Sequence, residues 1–233
     1  MRPRKIAALM LGLIIVITLS GCDNSHNTSS NQVKTTENES AMQTENNGSS
    51  AVVRQSSKND VLVVYFSRTG EQYKVGVIDK GNTAIVADMI IEATGADSYE
   101  ILPLEDYYPY TYNELTDVAK NEQNENARPA YKGNIPDLSR YSTVFIGAPV
   151  WWGDWPMICY TFFENNAEVL AGKTLIPFST HEGSGLSGFD RKLSSVCPNS
   201  IIGEGLAISG SDAQNSQDSV RSKVNDWLSR LGF

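Results

Sequence analysis

Residues 61–66, Val-Leu-Val-Val-Tyr-Phe, are an unbroken run of apolar, β-favouring side chains. Such a run is typical of a central strand in a parallel sheet that is covered on both faces. Four further strand signals follow, and segments with helical spacing lie between them. The predicted strands are 61–66, 98–102, 143–148, 174–179 and 201–208, and the predicted helices are 82–95, 112–126, 156–166, 189–196 and 220–231.

Strands that alternate with helices predict an α/β fold, in which right-handed crossovers build a five-stranded parallel sheet between two helix layers. This is a three-layer, doubly wound arrangement. Ligands of such sheets bind beyond the carboxyl ends of the strands. We therefore expect the chemistry to lie in three loops, which follow Phe66, Ala148 and Ser179.

The N-terminus has the features of a secretory signal. Arg2, Arg4 and Lys5 precede an uncharged run of thirteen residues at 6–18, and Leu-Ser-Gly-Cys follows at 19–22. This end resembles a bacterial lipobox, in which the thiol of Cys22 is lipidated. The alternative is an uncleaved membrane anchor, for which the run is shorter than the roughly 20 residues that span a bilayer. We predict a signal peptide at 1–21 and a lipid-anchored protein on the extracytoplasmic face of a bacterial cell membrane.

Residues 22–58 are predicted to be the lipidated Cys followed by a disordered polar tether. Of the 36 residues at 23–58, 21 are Asn, Ser, Thr or Gln, and none is Phe, Trp or Tyr. That composition buries too little apolar surface to offset the entropy of ordering the chain. Residues 59–233 remain for one domain with a core of its own.

The domain at 59–233 is acidic, with 23 acidic and 13 basic residues and a net charge of −10. A surface that follows phosphates needs clustered Lys and Arg, so nucleic acid is not expected as a partner. With one His and two Cys in the domain, neither a His/Cys metal site nor a Ser-His-Asp hydrolase is expected. Cys159 and Cys197 either pair in an oxidising compartment, or Cys159 is buried apolar packing.

The first loop joins a segment of Ser, Thr and Gly to the start of a helix. Hydroxyls, backbone N–H groups and a helix N-terminus can together surround a phosphate. The same residue types also serve loops that only turn and cap a helix. The spacing matches neither G-x-x-x-x-G-K-[ST] nor G-x-G-x-x-G, so a P-loop or a dinucleotide site is disfavoured. The candidate phosphate ligands are Ser67, Arg68, Thr69, Gly70, Asn82 and Thr83.

The second loop holds three of the four tryptophans within five positions. Trp beyond the edge of a sheet is suited to stacking on a planar ring. Gly153 can change its peptide orientation at little steric cost, and Asp154 places negative charge beside such a ring. At least one of the three tryptophans is expected to pack in the core instead. The candidate ring-binding residues are Pro149, Val150, Trp151, Trp152, Gly153 and Asp154.

The third loop, at 180–188, is rich in Gly and Ser. It offers backbone donors and few bulky side chains, as a loop needs when it approaches the edge of a flat ligand. His181 is the one group here whose ordinary pKa is near neutrality, so it is either a proton relay or a surface residue. The candidate residues of this loop are Thr180, His181, Gly183, Ser184 and Gly185.

Taken together, the three loops resemble the FMN-contacting loops of the flavodoxin family, and most of all those of its flavodoxin-like lipoprotein branch. Residues 67–70 with 82–83 are similar to the (S/T)-x-T-G-x-T phosphate loop, interrupted here at 71–81, and residues 152–154 are similar to the ring-contacting loop. The resemblance covers nearly all of 59–233. It implies FMN as the cofactor, a strand order of 2-1-3-4-5, an aromatic stacked on the isoalloxazine and a Gly peptide that accepts a hydrogen bond from reduced N5.

By this resemblance, the chain is expected to be an FMN-binding electron-transfer lipoprotein that acts with a redox partner protein or a small quinone-like substrate. Its acidity would disfavour negative charge on reduced flavin and would steer the domain towards a basic partner. One alternative is an NAD(P)H-dependent quinone or nitro-compound reductase, in which residues 107–110 or His181 place a second substrate. Another is a non-catalytic binding lipoprotein that has lost the flavin, which the interruption at 71–81 favours and residues 152–154 oppose.

Overall fold

The computed structural model describes residues 60–233, and the predictions for the signal peptide, Cys22 and the polar tether concern residues outside this range. Strands and helices alternate as expected. The strands are β1 (Val61–Tyr65), β2 (Gly70–Gln72), β3 (Gly76–Ile78), β4 (Asp97–Glu100), β5 (Thr143–Pro149), β6 (Thr174–His181), β7 (Ile201–Ile202) and β8 (Leu206–Ser209). The helices are α1 (Asn82–Thr94), α2 (Tyr112–Glu125), α3 (Met157–Leu170), α4 (Phe189–Val196), α5 (Gly210–Asn215) and α6 (Gln217–Leu231), with a short 3₁₀ helix at Leu138–Arg140.

The main sheet has the order β4-β1-β5-β6-β7, and β8 also pairs with β6. All of these pairings are parallel. In β1, Val63 lies opposite Ser98 of β4 and Phe145 of β5. Counted over the five predicted strands, this order is 2-1-3-4-5, so the predicted doubly wound sheet is confirmed.

The fifth predicted strand is divided into β7 and β8 because of Pro177 in its neighbour β6. Gly203 N donates to Leu175 O at 2.9 Å, so the backbone groups of Leu175 point to the fifth strand. Backbone groups of successive residues in a strand point to opposite neighbours, so those of Pro177 also point to the fifth strand. Because proline has no N–H, it cannot donate to the ladder there. Pairing resumes at Phe178, opposite Leu206.

The core lies on both faces of the sheet. Leu62 and Val64 pack in one cluster with side chains of α3 and α4, such as Phe162. Val63 packs in the other cluster with side chains of α1 and α6, such as Trp227. Alternate residues of β1 thus enter opposite cores, which is why its sequence is apolar throughout.

Most of the interruption at 71–81 forms an antiparallel hairpin of β2 and β3, which begins at Gly70. Glu71 fixes this hairpin to the start of α2, because its N–H donates to Tyr110 O at 3.0 Å and its Oε2 accepts from Tyr112 N at 2.8 Å. The ring of Tyr73 stacks on that of Tyr112 with centroids 5.5 Å apart. The hairpin is therefore held against α2 beyond the carboxyl edge of the sheet.

Cys159 and Cys197 are both buried free thiols, so Cys159 is part of the apolar packing. Burial raises the pKa of the Cys159 thiol well above its ordinary value. Among residues 60–233, no helix combines the length and apolar character needed to cross a membrane. No group of three potential metal ligands occurs within the same residues.

Candidate functional site

A cavity of ≈ 290 Å³ opens at the carboxyl edge of the sheet, where the three predicted loops meet. Its position agrees with the general rule for ligand sites in doubly wound sheets. Several predicted residues line it directly. Eight others do not: Ser67, Arg68, Thr69, Gly70, Thr83, Asp154, Gly183 and Gly185. The predicted residues that do line the cavity are Asn82, residues 149–153, Thr180, His181 and Ser184.

The first loop packs tightly against the start of α1. Ser67 Oγ accepts a hydrogen bond from Ala84 N at 3.0 Å, which satisfies one N–H of the first helical turn. The residue before the helix is Gly81, and a Cβ there would lie 2.1 Å from Ser67 Oγ and 2.6 Å from Arg68 O. Only glycine permits this approach of the loop to the helix N-terminus.

Arg68 and Gly70 both contact the segment that leads into α2. The Arg68 guanidinium donates to Asp106 Oδ1 at 2.9 Å and to Tyr108 O at 2.8 Å. Gly70 has φ +90°, and a Cβ there would lie 2.8 Å from Tyr110 O. Thr69 is exposed on the same loop. The positive charge of Arg68 is thus directed towards residues 106–109 in this structure.

Asn82 and Thr83 connect α1 to neighbouring elements. The hydroxyls of Thr83 and Thr180 are 2.8 Å apart, and both side chains are buried. Asn82 Oδ1 accepts from Gln214 Nε2 at 2.8 Å. The first turn of α1 is therefore joined to the end of β6 and to α5.

The second loop makes a tight turn closed by Trp151 and Asp154. The N–H of each residue donates to the carbonyl oxygen of the other at 2.9 Å. The two residues between them have positive φ, +50° for Trp152 and +74° for Gly153, as in a type I′ turn. A left-handed conformation is unfavourable for Trp, so the surrounding contacts must hold it.

The three tryptophans of this loop have different environments. Trp155 is 1% exposed, and its ring stacks on Phe189 at 3.6 Å, so it is the expected core tryptophan. Trp151 is half-buried and contacts Phe66 edge to face at 5.4 Å. Trp152 remains 53% exposed, and its Nε1 donates to Thr116 O of α2 at 2.9 Å. Lys120 Nζ lies 5.0 Å from the centroid of the Trp152 ring.

One oxygen of the Asp154 carboxylate contacts three neighbouring groups. Its Oδ1 accepts from Trp155 N at 2.7 Å and from Tyr160 OH at 2.8 Å, and Lys192 Nζ lies 3.1 Å away. The negative charge that the sequence places beside the ring-binding turn is thus paired with a lysine. The Lys192 side chain comes from α4, far from this turn in sequence, and no pattern in the chain predicts the contact.

The third loop places His181 and Ser184 in the cavity lining. His181 Nδ1 accepts from Gly183 N at 2.9 Å, so the neutral ring carries its proton on Nε2. Burial lowers the pKa of His181, while Glu182 and Asp212 oppose that shift. Gly183 and Gly185 have positive φ, +119° and +61°, and shape the loop without lining the cavity.

Helix α2 and the hairpin supply one wall of the cavity that the three loops alone do not predict. Residues at 112, 115, 116 and 119 follow helical spacing and lie on one face of α2. The sequence shows this spacing, but the hairpin contacts determine that this face of α2 points into the cavity. The additional lining residues are Gln72, Tyr73, Tyr112, Leu115, Thr116, Ala119 and Glu182.

The fold and the site together define a doubly wound α/β protein with a ligand cavity at the switch point of its sheet. The Flavodoxin family model matches residues 60–228, which is more than half of the chain. The chain therefore belongs to the flavodoxin family.

Solved structures agree with this assignment. A proposed flavoprotein from Bacteroides eggerthii is 30% identical with a TM-score of 0.56, covering 75% of this chain and 98% of that one. A proposed flavoprotein from Bacteroides uniformis is 30% identical with a TM-score of 0.57, covering 73% and 98%. A flavoprotein from Lactobacillus acidophilus in complex with FMN is 17% identical with a TM-score of 0.52, covering 69% and 98%, and shares the fold. No curated protein sequence matches the chain.

Proposed function

We propose that the domain binds FMN in the cavity at the carboxyl edge of its sheet and transfers electrons while tethered outside the cytoplasmic membrane. The observation that carries this proposal is the cavity itself, which runs from the N-terminus of α1 at Asn82 to the exposed indole of Trp152. It offers an anion site at one end and an aromatic wall at the other. FMN has a phosphate and a flat ring that match these two ends.

The start of α1 fits a phosphate. The first N–H groups of a helix have no partner within it, and of these Ser67 takes only that of Ala84. Among residues 60–233, the N–H groups of Asn82 and Thr83 have no hydrogen-bond partner, and the helix dipole favours an anion at this end of the helix. The Thr69 hydroxyl lies on the adjoining loop. A phosphate held in this way needs no basic side chain, which is consistent with the engagement of Arg68 elsewhere.

The other end fits a planar ring. Trp151 and Trp152 line it from the turn, and Tyr73 and Tyr112 line it from the hairpin and α2. When bound, FMN supplies one- and two-electron chemistry. The residues of the chain orient the ring, exclude water from part of its surface and present the Nε2–H of His181 as a hydrogen-bond donor.

The location is proposed from the sequence. The lipobox at 19–22 would attach Cys22 to lipid, and the polar residues at 23–58 would act as a flexible tether. The acidic domain would then meet a basic redox partner at or near the membrane surface.

A second candidate function is reduction of a small quinone or nitro compound at the expense of NAD(P)H. The stacked pair of Tyr73 and Tyr112 favours it, because these rings would suit a second planar molecule at the cavity. Purified protein that oxidises NAD(P)H only when a quinone is added would establish this reductase. A carrier without that activity would require a protein donor.

The experiment is a titration of FMN with purified protein, followed by quenching of flavin fluorescence and by the visible absorption spectrum. We expect tight binding that Thr69→Ala, Asn82→Ala and Trp152→Ala each weaken, by about 1 kcal/mol for a lost phosphate hydrogen bond. Thr94→Ala, the same change at the opposite end of α1, is the control and should bind normally. Colourless protein that leaves flavin fluorescence unchanged would contradict the proposal and favour the non-catalytic alternative.

A further inference from the structure

Lys192 connects two of the three loops that border the cavity. Its Nζ donates to the carbonyl oxygens of Gly153 and Ser187, the latter at 3.2 Å, and lies 3.1 Å from Asp154 Oδ1. The ammonium group thus donates to two backbone carbonyls and forms an ion pair with Asp154. Two of these three contacts involve the tryptophan turn at 151–154, and the third involves the loop at 180–188.

The tryptophan turn needs such support. Trp152 holds a left-handed backbone conformation at φ +50°, which costs free energy unless neighbouring groups fix it. Gly153, the next residue, is exposed and has only Ser187 Oγ near the position of a Cβ, at 3.8 Å. Its carbonyl bond to Lys192 is therefore a direct restraint on the exposed tip of the turn.

Lys192 also changes the charge at the turn. The Asp154 side chain is 23% exposed and that of Lys192 is 32% exposed, so the pair is only partly screened by solvent. Without the lysine, the turn that lines the cavity would carry an uncompensated carboxylate. With Lys192 present, its positive charge and the negative charge of Asp154 nearly cancel when seen from the cavity.

We propose that Lys192 is a positioning residue that fixes the tryptophan turn to the 180–188 loop and offsets the charge of Asp154, so that Asp154 does not oppose reduction of the bound ring. This inference rests on the proposed function, because the ring is that of FMN. The first claim is that Lys192 holds the two loops in a fixed position, and the second is that it offsets the charge of Asp154.

The first measurement is hydrogen exchange of the full chain without FMN. Lys192→Met should speed amide exchange in both 151–154 and 180–188, and Lys192→Arg should restore much of the protection because Arg keeps the donors and the charge. Lys132→Met is the matched control, since it makes the same change at an exposed lysine outside both loops. Unchanged exchange in both loops of Lys192→Met would overturn the first claim, whatever the protein does with FMN.

The second measurement is FMN affinity and midpoint potential. Lys192→Met should weaken FMN by about tenfold, as expected for loss of charge-assisted hydrogen bonds, and should lower the potential. Asp154→Asn should raise the potential, and the double variant should return it towards that of the wild type. A potential unaffected by Lys192→Met would overturn the second claim. Failure of the wild-type protein to bind FMN would instead overturn the proposed function.

Discussion

The hydrogen bond at His181 Nδ1 determines how this side chain behaves in the site. Because Gly183 N donates to Nδ1, protonation at that atom would break the bond and disturb the third loop. Burial already lowers the pKa, so the neutral form with its proton on Nε2 prevails at neutral pH. At the residue scale, His181 thus donates a hydrogen bond from Nε2 at a pH above its pKa. At a pH below its pKa, its protonation would disturb the loop at 180–188.

The pKa of His181 can be measured by following the imidazole resonances during a pH titration. The full chain has two histidines, and His26→Asn assigns the remaining signal to His181. We expect its midpoint below 6.5. The folded state then binds fewer protons than the unfolded state, so stability should be retained above pH 6.5 and decline as the pH falls through the folded pKa. His181→Asn should flatten this decline, and a midpoint above 6.5 would contradict the assignment.

At the scale of elements, the hairpin of β2 and β3 turns an interruption in the phosphate loop into a wall of the cavity. Its attachment to α2 uses both the backbone and the side chain of Glu71, together with the stacked rings of Tyr73 and Tyr112. The hairpin and α2 therefore act as one unit. Their aromatic face is available to the ring of FMN or to a second substrate.

Tyr73→Ala should weaken FMN binding by about 0.5–1.5 kcal/mol, the range for loss of an aromatic pair. Val77→Ala is the control on the same hairpin, because Val77 is 61% exposed and does not line the cavity. Both side chains are largely exposed, so neither change should lower the melting temperature appreciably. Equal effects of the two substitutions in a flavin titration would show that the hairpin acts only as a whole.

Elements with a strong local signal are predicted well from this sequence, whereas long-range contacts are not. The run at 61–66 specifies β1 because both faces of that strand are buried. The gap between β7 and β8 is not predicted, because it depends on which edge of β6 Pro177 faces. The three loops of the site follow from the strand ends, but the different environments of Trp151, Trp152 and Trp155 depend on a turn of positive φ. The contacts of Lys192 with that turn depend on how α4 packs.

At the scale of the whole molecule, the proposed anchor and the acidic domain would have separate roles. Lipid at Cys22 would fix where the protein acts, and a net charge of −10 on 59–233 would select which partners approach. Attraction of this kind weakens as salt screens the charges.

Cys22→Ser should release the protein from the membrane fraction, because it removes the site of lipid attachment. Ser25→Ala, a nearby change that spares Cys22, is the control and should leave the protein membrane-bound. The test is fractionation of cells that express each variant, with detection of the protein in both fractions. A serine variant that remains with the membranes would argue for an uncleaved anchor.

The pairing of β1 with β5 also affects how the chain reaches its native state. Val63 and Phe145 are far apart in the sequence and must meet before their strands can pair. Parallel sheets with such long-range pairings fold slowly. Until then Cys159 and Cys197, which the finished core encloses, are open to oxidation. Refolding yield should therefore be higher with a reductant than without one, and substituting both cysteines by Ala should remove that difference. Slow assembly of the sheet thus defines a period of chemical vulnerability that ends when the core closes.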